Sequence, residues 1–269
     1  MPTQTRVVIA GAGGRMGRTL VELINEQQNI VLVDGFEHPG APTVGADIGV
    51  IGGVGELGIP IKTGFDGITN DFDVLIDFTL PESTLSNIAA CRAAGRRMVI
   101  GTTGLGESRA AIDQAAPDIA IVFAPNMSVG VNLCFKLAEL AAQALGDDFD
   151  VEIIEAHHRN KVDAPSGTAV RLGEIIAQAL DRDIAECAVY GREGHTGVRE
   201  PKTIGFETIR GGDIVGDHTV LFAGAGERVE ITHKASSRLT FASGALRAAA
   251  WLADRPNGVY DMQDVLNLR

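Results

Sequence analysis

The stretch VVIAGAGGRMG, residues 7–17, decides how the rest of the chain is read. It places Gly11, Gly13, Gly14 and Gly17 between an apolar, β-branched run and a segment with apolar residues at helical spacing. Glycines let a chain turn sharply and let its backbone N–H groups approach a pyrophosphate, to which the helix N-terminus adds partial positive charge. Strand before and helix after are the context in which a glycine cluster predicts dinucleotide binding rather than a mere turn. The spacing is not the strict fingerprint: its third glycine would fall at Met16, and Gly17 comes one residue late. The acid expected at the end of the second strand, to accept hydrogen bonds from an adenosine ribose, is either Asp34 or Glu37. His38 follows, and no Arg stands there to clamp a 2′-phosphate, although His38 or Arg15 could assist. That tilts the reading towards NAD and leaves NADP open.

Outward from this loop the first half alternates. Residues 30–36 (IVLVDGF), 73–79 (DVLIDFT), 97–103 (RMVIGTT) and 119–126 (IAIVFAPN) are further apolar runs, separated by helical segments. One of these runs from Pro81 to Gly95, with the proline at its start and the glycine at its end. Strand, helix, strand in repetition predicts a parallel sheet with right-handed crossovers, and continuous apolar runs predict strands covered on both faces. Strand ends at 77–79, 101–104 and 124–128 should border the ligand crevice, with Thr or Asn holding nucleotide or simply capping helices. Near residue 128 the pattern changes. A helix, a strand ending in two histidines and a second helix lead into strands at 203–212, 218–224 and 228–235, the last two joined by the glycine-containing loop AGAGE. A final helix is expected after Ser243-Gly244. The expected class is α/β: a Rossmann-type, doubly wound parallel sheet over residues 1–128 and 238–269, plus a smaller α+β unit over 129–237 with a mostly antiparallel or mixed sheet. The short links suggest a hinge.

Bulk properties narrow the function. The chain has 269 residues, 45% of them hydrophobic, enough to bury a core in each of two units. A net charge of −12, with no basic run longer than Arg96-Arg97, argues against nucleic acid and anionic membrane as partners. Cys91, Cys134 and Cys187 are scattered, as in a reduced cytoplasmic protein. No basic, apolar leader opens the sequence, and eighteen apolar residues nowhere occur together.

The densest chemistry lies in EIIEAHHRNKVDAPSGTA, residues 152–169. His157 and His158 sit at a strand exit, where neighbours point to opposite sides. Lys161 follows, and Ser166, Gly167 and Thr168 open a helix whose exposed N–H groups suit a carboxylate or a phosphate. A proton donor (His157 or Lys161), a cation and an anion seat beside a nucleotide loop fit reduction of a small anionic molecule, in which hydride arrives and a side chain supplies a proton. Spacing alone leaves other readings open: polar loop residues with a capping serine, or zinc ligands drawn from Asp163, His195, His218 and His233. No H-E-x-x-H or C-x-x-C spacing supports zinc, and no metal is expected.

The segment has the shape E-x-x-E-x-H-x-x-x-K-x-D-x-P-S-G-T-A and resembles the signature of the 4-hydroxy-tetrahydrodipicolinate reductase (dihydrodipicolinate reductase) family. VVIAGAGGRMG, MVIGTTG, APNMSVGVN, REGHTG and the run from GFETIRGG to KASSR resemble it too, so the likeness covers nearly the whole chain. The resemblance implies that His157 and Lys161 donate protons, and that His158 with Ser166, Gly167 and Thr168 holds substrate carboxylates. It implies that Gly11, Ala12, Gly13, Gly14, Arg15, Met16, Glu37, His38, Gly101, Thr102, Thr103, Ala124, Pro125, Asn126 and Met127 line NADH or NADPH. Many relatives carry Arg after the glutamate, so His38 weakens the case for strong NADP preference; Pro125 and Met127 stand where relatives can carry Ala and Phe. It further implies a homotetramer, a dicarboxylate substrate and a place in diaminopimelate and lysine biosynthesis. The rival readings are another Rossmann reductase of a small anion, or a nucleotide sensor without turnover.

Overall fold

The computed structural model describes residues 4–269. They divide into two compact units, one reaching to Val129 and resuming at Arg238–Arg269, the other Gly130–Ser237.

In the first unit β1 (Thr5–Ala10), α1 (Arg15–Asn25), β2 (Ile30–Glu37), α2 (Ile48–Gly52), β3 (Lys62–Thr63), β4 (Val74–Asp77), α3 (Pro81–Ala94), β5 (Arg97–Ile100), α4 (Ala110–Ala115) and β6 (Ala120–Phe123) follow in order. The strands form one sheet in the order β3-β2-β1-β4-β5-β6, and the pairings are parallel throughout. Chain order reverses at β1, so the crevice outside the carboxyl ends of β1 and β4 is the topological switch point where such sheets bind ligands. Val7, Val8, Ile9, Leu75, Ile76, Met98, Val99 and Ile121 are wholly buried, as strands covered on both faces require. Pro81 occupies the first turn of α3, and Gly95 closes it at φ +62°, a left-handed conformation that costs glycine nothing.

In the second unit α5 (Val129–Leu145) leads to β7 (Asp150–His157), α6 (Gly167–Ala179), α7 (Ile184–Cys187), β8 (Ala188–Tyr190), β9 (Ile204–Arg210), β10 (Gly216–Ala223) and β11 (Arg228–Ala235). The sheet order is β11-β10-β7-β9-β8. β10 pairs antiparallel with both β11 and β7, while β9 pairs parallel with β7 and β8, giving a mixed sheet. Val151, Ile153, Leu172, Ile176, Phe206, Val220 and Phe222 form its core.

The chain then returns to the first unit through α8 (Leu239–Leu252), β12 (Gly258–Tyr260) and α9 (Met262–Val265), and β12 adds a seventh parallel strand beside β6. The helix expected after Ser243-Gly244 instead begins at Leu239, so that pair lies inside it. Gly244 is an interior packing residue: a Cβ there would stand 1.7 Å from the Met127 carbonyl oxygen. A glycine that admits another backbone reads, in sequence alone, like a boundary. β12 has only three residues, too few for a period to show.

Candidate active site

The glycine loop turns the chain sharply from β1 into α1. Gly11, at φ +68°, and Ala12 both donate backbone N–H groups to Phe36 O, at 2.9 and 3.1 Å, which binds the turn to the end of β2. Gly14 is the N-cap of α1, and exposed Arg15 and half-buried Met16 begin the helix. Gly17 performs the close-packing task that the fingerprint assigns to its third glycine. A Cβ at Gly17 would meet Gly11 O at 2.3 Å and Ala12 O at 2.5 Å. At Gly13 a Cβ would lie 2.3 Å from Thr43 Oγ1. Of the two candidate acids, Asp34 is fully buried and accepts from Gly35 N and Asn70 Nδ2. Glu37 is half-buried at the end of β2 and accepts from Gly13 N at 3.0 Å, directly beside the loop. His38 is exposed, and its Nδ1 donates to Pro39 O at 2.9 Å.

The other strand ends of this unit divide between support and surface. Gly101 lies against Phe78, whose ring would be 2.1 Å from a Cβ. The Thr102 hydroxyl is buried, accepts from Thr84 Oγ1 at 2.8 Å and reaches Asp77 Oδ1 at 3.4 Å. Asp77 also accepts from Thr79 N, Thr79 Oγ1 and Asn87 Nδ2. Thr102 therefore holds its loop in place, and exposed Thr103 is the residue presented outward. Ala124 and Met127 are buried, whereas Pro125 is exposed and half-buried Asn126 accepts from Ser128 N at 2.9 Å. The glycine turn, the open N-terminus of α1, the strand-end loops and an acid at the end of β2 fit a nicotinamide dinucleotide.

In the second unit β7 alternates faces to its end, so His157 is buried and His158 half-buried. Glu155, two residues before His157 and on the same face, is the centre of the cluster. It is 1% exposed, yet every contact to it comes from a donor. His157 Nδ1 donates to Oε2 at 2.6 Å, and Arg210 donates one nitrogen to each oxygen, both at 2.8 Å. Ser166 N donates to Oε1 at 3.0 Å. Burial pushes the Glu155 carboxyl up, but Arg210, His157 and the Ser166 N–H outweigh it and bring it down to about 2. An ionised carboxylate can only accept, so the His157 proton sits on Nδ1 and Nε2 is the free nitrogen. Burial lowers the pKa of His157, and the bond and charge of Glu155 oppose that shift. A Cβ on Gly216 would come within 3.0 Å of His157 Nε2.

Lys161 Nζ donates to both carboxylate oxygens of Asp163 at 2.8 Å, and that bond draws the Asp163 carboxyl below its ordinary range. Ser166 is the N-cap of α6 and accepts from Ala169 N at 3.2 Å; its hydroxyl also meets His218 Nε2 at 2.9 Å. The Ser166 side chain is thus spent within the protein. Exposed Gly167 begins the helix, with open space where its Cβ would be, and half-buried Thr168 follows. His158 Nδ1 is buried with no hydrogen-bond partner among the described residues, an orphan suited to a ligand oxygen. Burial, and the charge of His157 after it, push His218 down to about 3, so it is neutral. Its ring stands edge-on to His157 at 5.0 Å. Among the described residues no three His, Cys, Asp or Glu side chains group as a metal site, and no helix is long and apolar enough to cross a membrane.

The sequence gives Glu155 and Arg210 no site role, and it offers His218 only as a zinc ligand that no spacing supports. Period-two alternation places Glu155 on the face of His157, and that was the available signal. Arg210 and His218 arrive from other strands, and only the sheet register brings them near: Arg210 is the ladder partner of His157, and His218 that of Glu155.

Fold and site define a Rossmann-type reductase that uses a nicotinamide nucleotide. Residues 5–127 match the family model described as dihydrodipicolinate reductase, N-terminus, and residues 130–266 the one described as dihydrodipicolinate reductase, C-terminus. A 4-hydroxy-tetrahydrodipicolinate reductase of Alkalilimnicola ehrlichii is 61% identical, covering 98% of this chain and 99% of its own. One from Pseudomonas fluorescens is 60% identical, with the same coverage. A dipicolinate-bound dihydrodipicolinate reductase from Paenisporosarcina sp. TG-14 shares the fold at a TM-score of 0.73 and 24% identity, over 97% of this chain and 99% of that one. The chain belongs to the dihydrodipicolinate reductase family.

Proposed function

We propose that the protein reduces 4-hydroxy-tetrahydrodipicolinate to tetrahydrodipicolinate with NADH or NADPH, within diaminopimelate and lysine biosynthesis. The observation that carries the chemistry is the pair of proton-bearing groups, His157 and Lys161, flanking the start of α6, each held by its own carboxylate. The substrate loses its hydroxyl together with a hydrogen from the neighbouring carbon as water, and a bound nucleotide would supply the hydride that reduces the resulting unsaturation. Addition of that hydride leaves an electron pair on the acceptor, which takes a proton from His157 or Lys161. The orphaned His158 Nδ1 and the opening of α6 at Gly167 and Thr168 receive the substrate's carboxylates. In the first unit the uncapped start of α1, at Arg15 and Met16, receives the pyrophosphate, and Glu37 the adenosine ribose.

His157→Gln and Lys161→Ala each lower kcat by ~10²–10⁴-fold, the usual scale for loss of acid catalysis, with KM for the nucleotide unchanged. Near-wild-type turnover in both variants would remove those roles. We further propose that the protein works in the cytoplasm as a homotetramer assembled through the second unit. This reading is supported by three cysteines that form no disulfide and by edge strand β11, exposed along most of its length. Sedimentation equilibrium at micromolar concentration tests the assembly.

A further inference from the structure

We infer that Glu155 and Arg210 are positioning residues for His157: the carboxylate fixes which ring nitrogen carries the proton, and the guanidinium fixes the carboxylate. This inference rests on reading His157 as a proton donor. The cluster is asymmetric in a way that a salt bridge kept for stability alone does not need. Both oxygens of Glu155 are saturated by donors, so no proton can sit on them and the Nδ1–H cannot move to Nε2 without losing its partner. Arg210 serves both proton-bearing groups. Its Nη2 bonds Glu155 and also Asp163 O at 2.7 Å, and Asp163 is the residue whose carboxylate holds Lys161. One planar fork therefore ties the end of β9 to the His157 carboxylate and to the loop bearing Lys161, a geometry that a lysine cannot reproduce. Backbone bonds brace the same frame, from Gly211 N to His157 O at 2.9 Å and from Arg159 N to Gly212 O at 3.3 Å. On its remaining sides His157 meets neutral His218 and Gly216, so Glu155, Arg210, Lys161 and His218 are the titratable groups around it.

Ring nitrogen shifts in protein labelled with ¹⁵N-histidine test the first half without a substitution. In the wild type at pH 8, His157 Nδ1 is expected to be the protonated nitrogen and Nε2 the bare one; the reverse assignment overturns the inference. Glu155→Gln turns an amide N–H₂ towards one set of donors and releases the lock. In that variant kcat is expected to fall ~10²-fold while KM stays within about threefold. The alkaline limb of the pH profile should move to lower pH, because removing the carboxylate removes what keeps the imidazolium protonated. Because Glu155 acts through His157, the double variant Glu155→Gln/His157→Gln should be no slower than His157→Gln alone. Losses that multiply instead mean a structural role only, and sink the inference. His157→Gln with near-wild-type turnover sinks the donor reading itself, which keeps the two failures apart. Should Glu155→Gln not fold, the wild-type nitrogen shifts still decide.

Discussion

Acidification should destabilise the second unit through one identifiable ring. His218 is 6% exposed, with Nε2 on Ser166 and a lining of Val131, Phe135, Leu172 and Ile231 beside it. Charging it in the fold is costly, which is why it titrates near 3 rather than at its ordinary 6.5. The sign follows directly. A folded value below the unfolded one means that the unfolded chain binds more protons, so stability is full above 6.5 and is lost as pH falls towards 3. From pH 7 to pH 5 the loss from this group is about 2 kcal/mol, and by pH 4 about 3 kcal/mol, as upper figures for a site with some residual hydration. The variant His218→Gln keeps a nitrogen at the Nε2 position for Ser166 but cannot titrate. Urea melts followed by far-UV circular dichroism, at pH 7, 6 and 5, give the difference in stability between wild type and variant. The variant is expected to start less stable, from imperfect packing, and to gain on the wild type by about 2 kcal/mol over that range. A difference independent of pH would mean that His218 already ionises freely in the fold, and the account of a dry, neutral histidine behind the site would be wrong.

Other perturbations act through the same geometry. Gly17→Ala puts a Cβ against two backbone carbonyls that cannot step aside, and should cost roughly 2–4 kcal/mol in a denaturant melt; a cost under about 0.5 kcal/mol would mean the junction of loop and helix is loose. Gly13→Val should weaken NADH binding by calorimetry more than it lowers stability, since Thr43 can partly yield; unchanged affinity would make the loop only a turn. Gly216→Ala crowds His157 Nε2 and should reduce kcat with KM nearly unchanged; equal loss in both would place the effect on binding instead. Below about pH 4.5 the Glu155 cluster should begin to fail as well, because its folded value near 2 lies below the ordinary one. Arg210 is partly open to solvent, so screening limits this contribution to roughly 1–2 kcal/mol, read as an Arg210→Met variant that loses less stability on acidification than the wild type.

Local physics made much of this molecule legible before any coordinates. Apolar runs and glycine turns specify the parallel strands and the loop after β1, because burial and left-handed backbone are local demands. The signature around His157 names the family by itself. Short-range capping placed Ser166 at the start of α6, and period-two alternation placed His157 and His158 on opposite sides. What tertiary structure decided is who meets whom across the chain. Gly244 looks like a helix boundary until Met127 is seen against it. Asp34 and Glu37 look alike until one is buried under Asn70 and the other reaches Gly13. Glu155 is one acid among 35 until Arg210, 55 residues away, and His157 close on it. Sequence carries the period of an element, but the register between strands is set by the packing of the whole sheet, and a buried charge finds its partners only there.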